Sequence, residues 1–233
     1  MEGVLANLII AAGAAAQASV GMGLNLFAVP LLALIDPAYV PGPVLVHGFL
    51  LSCLASARLR ESIDVHQLGL ALIGLVGGTV AAALLLVWVT TEQLPRLLGC
   101  FVLLAVALSA AGYQIAPTTR ALLAASSAAG VMGIIAGAHG PPIALLFQHQ
   151  SPSRIRSVLL PFFALSNPIA LGALAIIGKF GWREVYVSAL MLPGLTVGFL
   201  ASTWLSQLVS ARVIRTCLLA ISATSGAALV LKG

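Results

Sequence analysis

The sequence predicts an all-α polytopic membrane protein made of two inverted repeats, each a Gly/Pro-broken helical hairpin followed by three transmembrane helices. Three observations carry this. Of 233 residues, 61% are hydrophobic and only 7% charged, and mean hydropathy is +1.12; a soluble domain needs far more charge on its surface. Long apolar runs follow one another with short polar breaks between them, the pattern of successive membrane helices. Two of these runs, one in each half, are about 32 residues long and are interrupted by glycine and proline.

The elements follow in order. The first run covers about 4–35 and breaks at Gly21-Met22-Gly23. Spans are expected near 43–57, 67–90 and 94–115. A second broken run, about 118–149, is interrupted at Gly137-Ala138-His139-Gly140-Pro141-Pro142. Spans near 155–178, 183–206 and 211–231 complete the chain. As a straight helix each broken run would reach roughly 48 Å, against a hydrocarbon core of about 30 Å. Folding back as two shorter pieces is the expectation that the glycines favour. The whole chain is one transmembrane domain, with repeat one at about 1–116 and repeat two at about 117–233.

The halves align beyond the breaks. Pro30-Leu31-Leu32-Ala33-Leu34 matches Pro142-Ile143-Ala144-Leu145-Leu146, Gly77-Gly78-Thr79-Val80 matches Gly194-Leu195-Thr196-Val197, and Cys100 falls opposite Cys217. An internal duplication is expected. If each broken run is a hairpin, each half has five segments and the halves are inverted. One side then collects Arg58, Arg60, Arg120, Arg154, Arg156, Arg212 and Arg215, and the other Arg96, Lys179, Arg183 and Lys232: 7 against 4. A single crossing by each broken run gives 6 against 5. The excess of Lys and Arg in cytoplasmic loops prefers the hairpins, with both termini outside the cytoplasm. The same excess accounts for the formal net charge of +5. No basic run with interleaved aromatics occurs, so a nucleic-acid role is rejected. The opening Met1-Glu2-Gly3-Val4 lacks a basic n-region, and the first span is expected to be retained.

Matched broken segments in the two halves point to a transporter's binding site. Broken backbone at membrane depth is tolerated only where protein or a water-filled cavity shields it. A helix restarting after each break would offer unpaired N–H groups and a partial positive charge to an anion. Candidate substrate-binding residues are Gln17, Gly21, Gly23, Asn25, Gly137, His139, Gly140 and Pro141. Several keep two readings. His139 is a ligand or proton carrier, or else a cap on a free carbonyl. Asn25 is a donor or an N-cap. Gln17 reads as interhelical glue ahead of ligand. Asn167-Pro168 reads as a proline kink, His47 as interfacial packing, and Gln148, His149 and Gln150 as an interface. Arg154 and Arg156 read as topology determinants, and Trp88, Tyr113, Trp182 and Tyr186 as interface anchors.

The ordered set of motifs resembles the TauE/SafE sulfite-exporter family. Gly21-x-Gly23 with Val29-Pro30-Leu31-Leu32 is similar to its glycine-rich first helix. Arg58-x-Arg60 with Ile63-Asp64 is similar to its loop after the next span. Gly133-x-x-x-Gly137-x-x-Gly140-Pro141-Pro142 with Ser153-Arg154-x-Arg156 is similar to its second copy. Met22, Leu24 and Asn25 thin the first glycine cluster, and His139 stands where a small residue is more usual. The resemblance implies export of sulfite or organosulfonates across the cytoplasmic membrane.

Other classes are weighed against this. No HExxH, no GxSG-like nucleophile motif and no acidic pair inside a span occurs, so no enzyme is expected. Three cysteines without a CxxC make no disulfide framework. A transmembrane thiol relay through Cys100 and Cys217 is a rival, and so is a non-transporting scaffold. With no GxxxxGK[ST] motif, transport draws on an ion gradient or the membrane potential unless a separate ATPase joins. The partners expected are a small anion, the bilayer, a proton or other coupling ion, and a second copy in a homodimer; no cofactor or metal is expected.

Overall fold

The computed structural model of the chain describes residues 1–20, 23–56, 63–90, 92–111, 115–116, 118–147 and 152–232, with the backbone alone at 20, 55 and 152–156. Eleven α-helices appear among the described residues, and no strand. In the first half they are α1 (Glu2–Val20), α2 (Leu24–Ile35), α3 (Gly42–Ser56), α4 (Val65–Trp88) and α5 (Leu94–Ala111). In the second they are α6 (Thr119–Ala136), α7 (Gly140–Phe147), α8 (Pro152–Ile176), α9 (Trp182–Leu190), α10 (Leu192–Leu208) and α11 (Ala211–Lys232). A 3-10 turn, Pro37–Tyr39, joins α2 to α3, with the Asp36 carboxylate accepting from the Ala38 N–H at 2.8 Å. Six helices are long and apolar enough to cross a membrane, or seven with α9 and α10 taken as one span.

Both long runs are broken where expected. The span expected at 183–206 is also broken: α9 and α10 meet at Met191 with a 46° bend. Pro193 explains it, because its ring and missing N–H do not allow a helix to continue through it undisturbed.

Packing is inside-out relative to a soluble protein. On α4 the outward side carries Ile73, Val80, Leu84 and Trp88, all exposed. The inward side carries Ala71, Gly74, Leu75, Gly78 and Ala82, all buried. Apolar side chains cost nothing against lipid, so association rests on close backbone approach by small residues. Gly74 and Gly78 of α4 lie against the backbone carbonyls of Leu123 and Ser127 on α6, and the Ser127 hydroxyl donates to the Gly74 carbonyl at 3.0 Å. Gly194 and Gly198 of α10 lie in the same way against the carbonyls of Asn7 and Ala11 on α1. Asn7 donates to the Leu190 carbonyl at 3.1 Å and accepts from the Gly194 N–H at 2.8 Å. The sequence alignment paired Gly77 with Gly194. The contacts instead pair Gly74 and Gly78 with Gly194 and Gly198, because Gly77 has nothing within 4 Å of where its Cβ would be.

The contacts also fix helix directions. Along α1 and α10, Asn7 meets Gly194 and Ser19 meets Ser202, so the two run parallel. Along α4 and α6, Gly74 meets Leu123 and Gly78 meets Ser127, again parallel. On α5 and α11, Ser109 meets Arg215 and Gly99 meets Gly226, so these are antiparallel. On α3 and α8, Ser56 meets Leu160 and Gly48 meets Asn167, also antiparallel. Each pairing is unchanged when the halves are exchanged.

Gly78→Ala is expected to lower stability by about 1–3 kcal/mol, since its Cβ would overlap the Ser127 carbonyl. Gly77→Ala, on the same helix with open space around it, should be neutral or slightly stabilising. Thermal melts in detergent check the pair; equal losses would overturn this packing of α4 on α6.

Candidate functional site

Both breaks open onto one cavity, with about 740 Å³ of empty space including the solvent at its mouth. Gln17, Gly23, Asn25, Gly137, His139, Gly140 and Pro141 all line it. These are seven of the eight residues that the sequence singles out; Gly21 lies outside the described residues. Gly48 and Ser52 of α3, Ser109 of α5, Phe163 and Asn167 of α8, and Arg215 of α11 line it as well.

The first break turns at Gly23, whose φ of 128° a side chain would strain. Gln17, one turn before the break, accepts the Leu24 N–H on its Oε1 at 3.0 Å. It therefore caps α2 from the end of α1, which fits its reading as glue. The N-cap itself is Gly23, so the expectation of Asn25 as N-cap is corrected. The Asn25 side chain reaches the other break instead, and its Nδ2 donates to the Gly137 carbonyl at 3.0 Å.

The second break closes on its own backbone. Gly137 is left-handed at φ 65°, its N–H bonds the Gly133 carbonyl at 2.8 Å, and the Ala138 N–H bonds the Met132 carbonyl at 3.2 Å. This is the usual glycine closure of a helix C-terminus. Side chains complete the closure at the Gly137 carbonyl, which Asn25 Nδ2 reaches and which is also a backbone partner of the His139 ring, in line with the reading of His139 as a cap. The His139 ring, 3% exposed, packs over Gly133, where any Cβ would overlap it. Its Nε2 is buried with no hydrogen-bond partner.

The donor set is smaller than helix geometry alone suggests. In the first turn of α7, Pro141 and Pro142 have no N–H, which leaves Gly140. In α2 the Leu24 N–H is occupied by Gln17, which leaves Asn25 and Leu26. A full positive charge stands at the mouth. Arg215 is exposed, lines the cavity, and donates from Nη2 to the Ser109 carbonyl at 2.7 Å.

Sequence reading placed Arg215 among the topology charges and so missed its position at the cavity. The available signal was depth: Arg215 sits a turn further into its helix than Arg212. Asn167 goes beyond its reading as a kink partner. Its Nδ2 donates to the Phe163 carbonyl at 2.8 Å, as a kink partner would, yet its Oδ1 is buried and unpartnered at the cavity wall. His47 is fully buried near the start of α3, with Nδ1 2.7 Å from the Pro43 carbonyl. Cys100 and Cys217 are exposed free thiols and are not among the cavity's lining residues. Trp88, Trp182 and Tyr186 are exposed at or near helix ends. Tyr113, Gln148, His149 and Gln150 lie outside the described residues, as do the side chains of Arg154 and Arg156. Among the described residues, no group of three or more His, Cys, Asp or Glu is placed to hold a metal ion.

No curated protein and no solved structure matches the chain. The family profile described as sulfite exporter TauE/SafE matches it over residues 5–229. That match takes in both broken segments, every described wall of the cavity and Arg215 at its mouth, so the chain belongs to the TauE/SafE sulfite exporter family.

Proposed function

We propose that this membrane protein is a secondary transporter that exports sulfite or a related small sulfur-containing anion through the cavity between the two breaks. Membership of the family implies a sulfur-anion exporter. One observation carries the site: residues picked out at two breaks more than a hundred positions apart in sequence line one cavity and share a hydrogen bond. The binding set is Gly23, Asn25, Gly137, His139 and Gly140, with Pro141 shaping the wall and Gln17 holding the first break in place.

The halves are read as inverted repeats, and the helix directions support this. With α1 parallel to α10, and α5 antiparallel to α11, chain connectivity makes each of α1, α3, α4 and α5 run opposite to its counterpart α6, α8, α10 and α11. With that arrangement the basic residues of the sequence would divide 7 against 4 between the two sides. Positive-inside bias assigns the richer side to the cytoplasm. Arg215 and the C-terminal end of α5 belong to that side, so the cavity faces inward and is ready to take an anion from the cytoplasm. Rocking of the halves around the breaks would expose it outward.

Export needs no nucleotide. An inside-negative potential favours anion exit by about 2.3 kcal/mol per charge per 100 mV. Neutral N–H donors suit this task. A buried lysine or arginine would hold the anion too tightly to release it, whereas donors of partial charge replace water without trapping the ion. Arg215 at the mouth collects anions and stays in contact with solvent.

Labelled sulfite in proteoliposomes is expected to show saturable flux that rises with an imposed potential; flux no greater than in empty liposomes would overturn sulfite as substrate. Gly140→Leu should lower that flux at least about ten-fold by filling the cavity while the melting temperature holds, because only Phe163 lies near a Cβ there, at 3.7 Å. Gly23→Leu is a poorer test, since its positive φ strains any side chain. Arg215→Ala should raise the KM for sulfite several-fold and flatten its dependence on ionic strength, with little change in maximal rate. An unchanged KM would remove Arg215 from the capture step.

A further inference from the structure

Asn25 and Asn167 each hold an unpartnered acceptor oxygen beside Gly48 at the wall of the anion cavity. A Cβ built on Gly48, which lies between them, would stand 2.8 Å from Asn25 Oδ1, 2.9 Å from Asn25 Nδ2 and 3.1 Å from Asn167 Oδ1. Both oxygens therefore face one spot on the cavity wall. Both are buried, and neither has a hydrogen-bond partner. Asn167 is 4% exposed. Their identity as oxygens follows from the opposite end of each amide. Asn25 Nδ2 donates to the Gly137 carbonyl at 3.0 Å, and Asn167 Nδ2 donates to the Phe163 carbonyl at 2.8 Å. Flipping either amide would set carbonyl against carbonyl, so the free ends are fixed as acceptors.

An acceptor-only anion, such as a fully deprotonated oxyanion or an unsubstituted sulfonate, leaves both oxygens unsatisfied and faces them with like partial charge. We infer that the anion bound here carries its own hydrogen-bond donor, which Asn25 and Asn167 receive between them beside Gly48. Suitable species are a monoprotonated oxyanion such as hydrogensulfite, or a sulfonate bearing a hydroxyl or amino group. The inference rests on the transport reading above and adds a division of labour to it. The N–H groups of Asn25, Leu26 and Gly140, with Arg215 at the mouth, meet the anionic oxygens. The amide pair, one residue from each half of the chain, selects the donor. A site made to bond a substrate hydroxyl rejects the analogue that lacks it far more strongly than an apolar pocket separates analogues by size.

The test is binding, kept separate from flux. Purified full-length protein in detergent is titrated calorimetrically with 2-hydroxyethanesulfonate and with 1-propanesulfonate, which places a methyl group where the first has its hydroxyl. The hydroxylated anion is expected to bind at least about ten-fold tighter, although the propyl chain is the more apolar. Asn167→Leu should bring the ratio close to one, chiefly by weakening the hydroxylated ligand. Equal binding, preference for propanesulfonate, or no binding of either by the wild type overturns the inference, and the wild-type comparison does not depend on any variant folding. An unchanged ratio in a folded Asn167→Leu protein overturns it too. A discriminating protein that moves no labelled sulfite would sink the transport reading and leave the acceptor pair standing.

Discussion

The hydrogen bond from Asn25 to the Gly137 carbonyl holds the two halves of this protein in working relation. A broken helix in hydrocarbon frees backbone groups that water cannot reach, and each unsatisfied group costs several kcal/mol. Here the first break is capped from within by Gln17, the second closes on its own backbone, and Asn25 ties one to the other. Neither break could be placed at this depth without such closure, and neither would face the cavity at this angle without the other. The Gly137 side of that bond tolerates no substitute. Its φ is positive, and a Cβ would stand 3.0 Å from that of Asn25.

The remaining architecture keeps those breaks in register. α1 and α6 are the helices that lead into the breaks, and each is gripped by a glycine pair on a helix of the opposite half. Because Gly74 and Gly78, or Gly194 and Gly198, touch backbone carbonyls, the helix axes are fixed by main-chain contact and not by side chains that could repack. Any rocking between halves must then move α1 with α10 and α6 with α4 as rigid pairs. Of the antiparallel crossings, α5 on α11 has a main-chain contact of its own, Gly99 against the Gly226 carbonyl, while α3 meets α8 where Gly48 faces the Asn167 side chain. Those crossings carry the cavity's other wall residues, Ser109, Arg215, Gly48, Ser52 and Asn167.

Much of this was legible in the sequence because hydrocarbon imposes simple rules. Apolar runs gave the helices to within a few residues, and Gly23 and Gly137 through Pro141 marked the breaks because few other residues survive there. The bend at Met191 was passed over. Pro193 pointed to it, but a single proline in a membrane span is commonly tolerated, so the signal was weak. The match to Gly194 fell on Gly77, three residues from Gly74, because the two glycines look alike in sequence and only Gly74 touches a neighbouring helix. Arg215, Gly48 and Asn167 were missed or undervalued for a different reason. Their role comes from helices packed across the two halves, and nothing local in their own segments carries that information.

The mix of donors and acceptors in the cavity bears on how an anion can leave as well as enter. A site made only of donors, closed by a guanidinium, would favour binding over release and would take any oxyanion. Here proline removes two N–H groups from α7, Gln17 occupies one of α2, and two amide oxygens of cavity-lining residues are without a partner. The affinity for a bare anion is lowered twice over, by fewer donors and by acceptors that oppose it. Under the proposed reading, a species that offers a proton in return recovers the loss. On that proposal selectivity and easy release come from the same subtraction, and the full charge at the mouth, kept in contact with water, would speed capture without deepening the well.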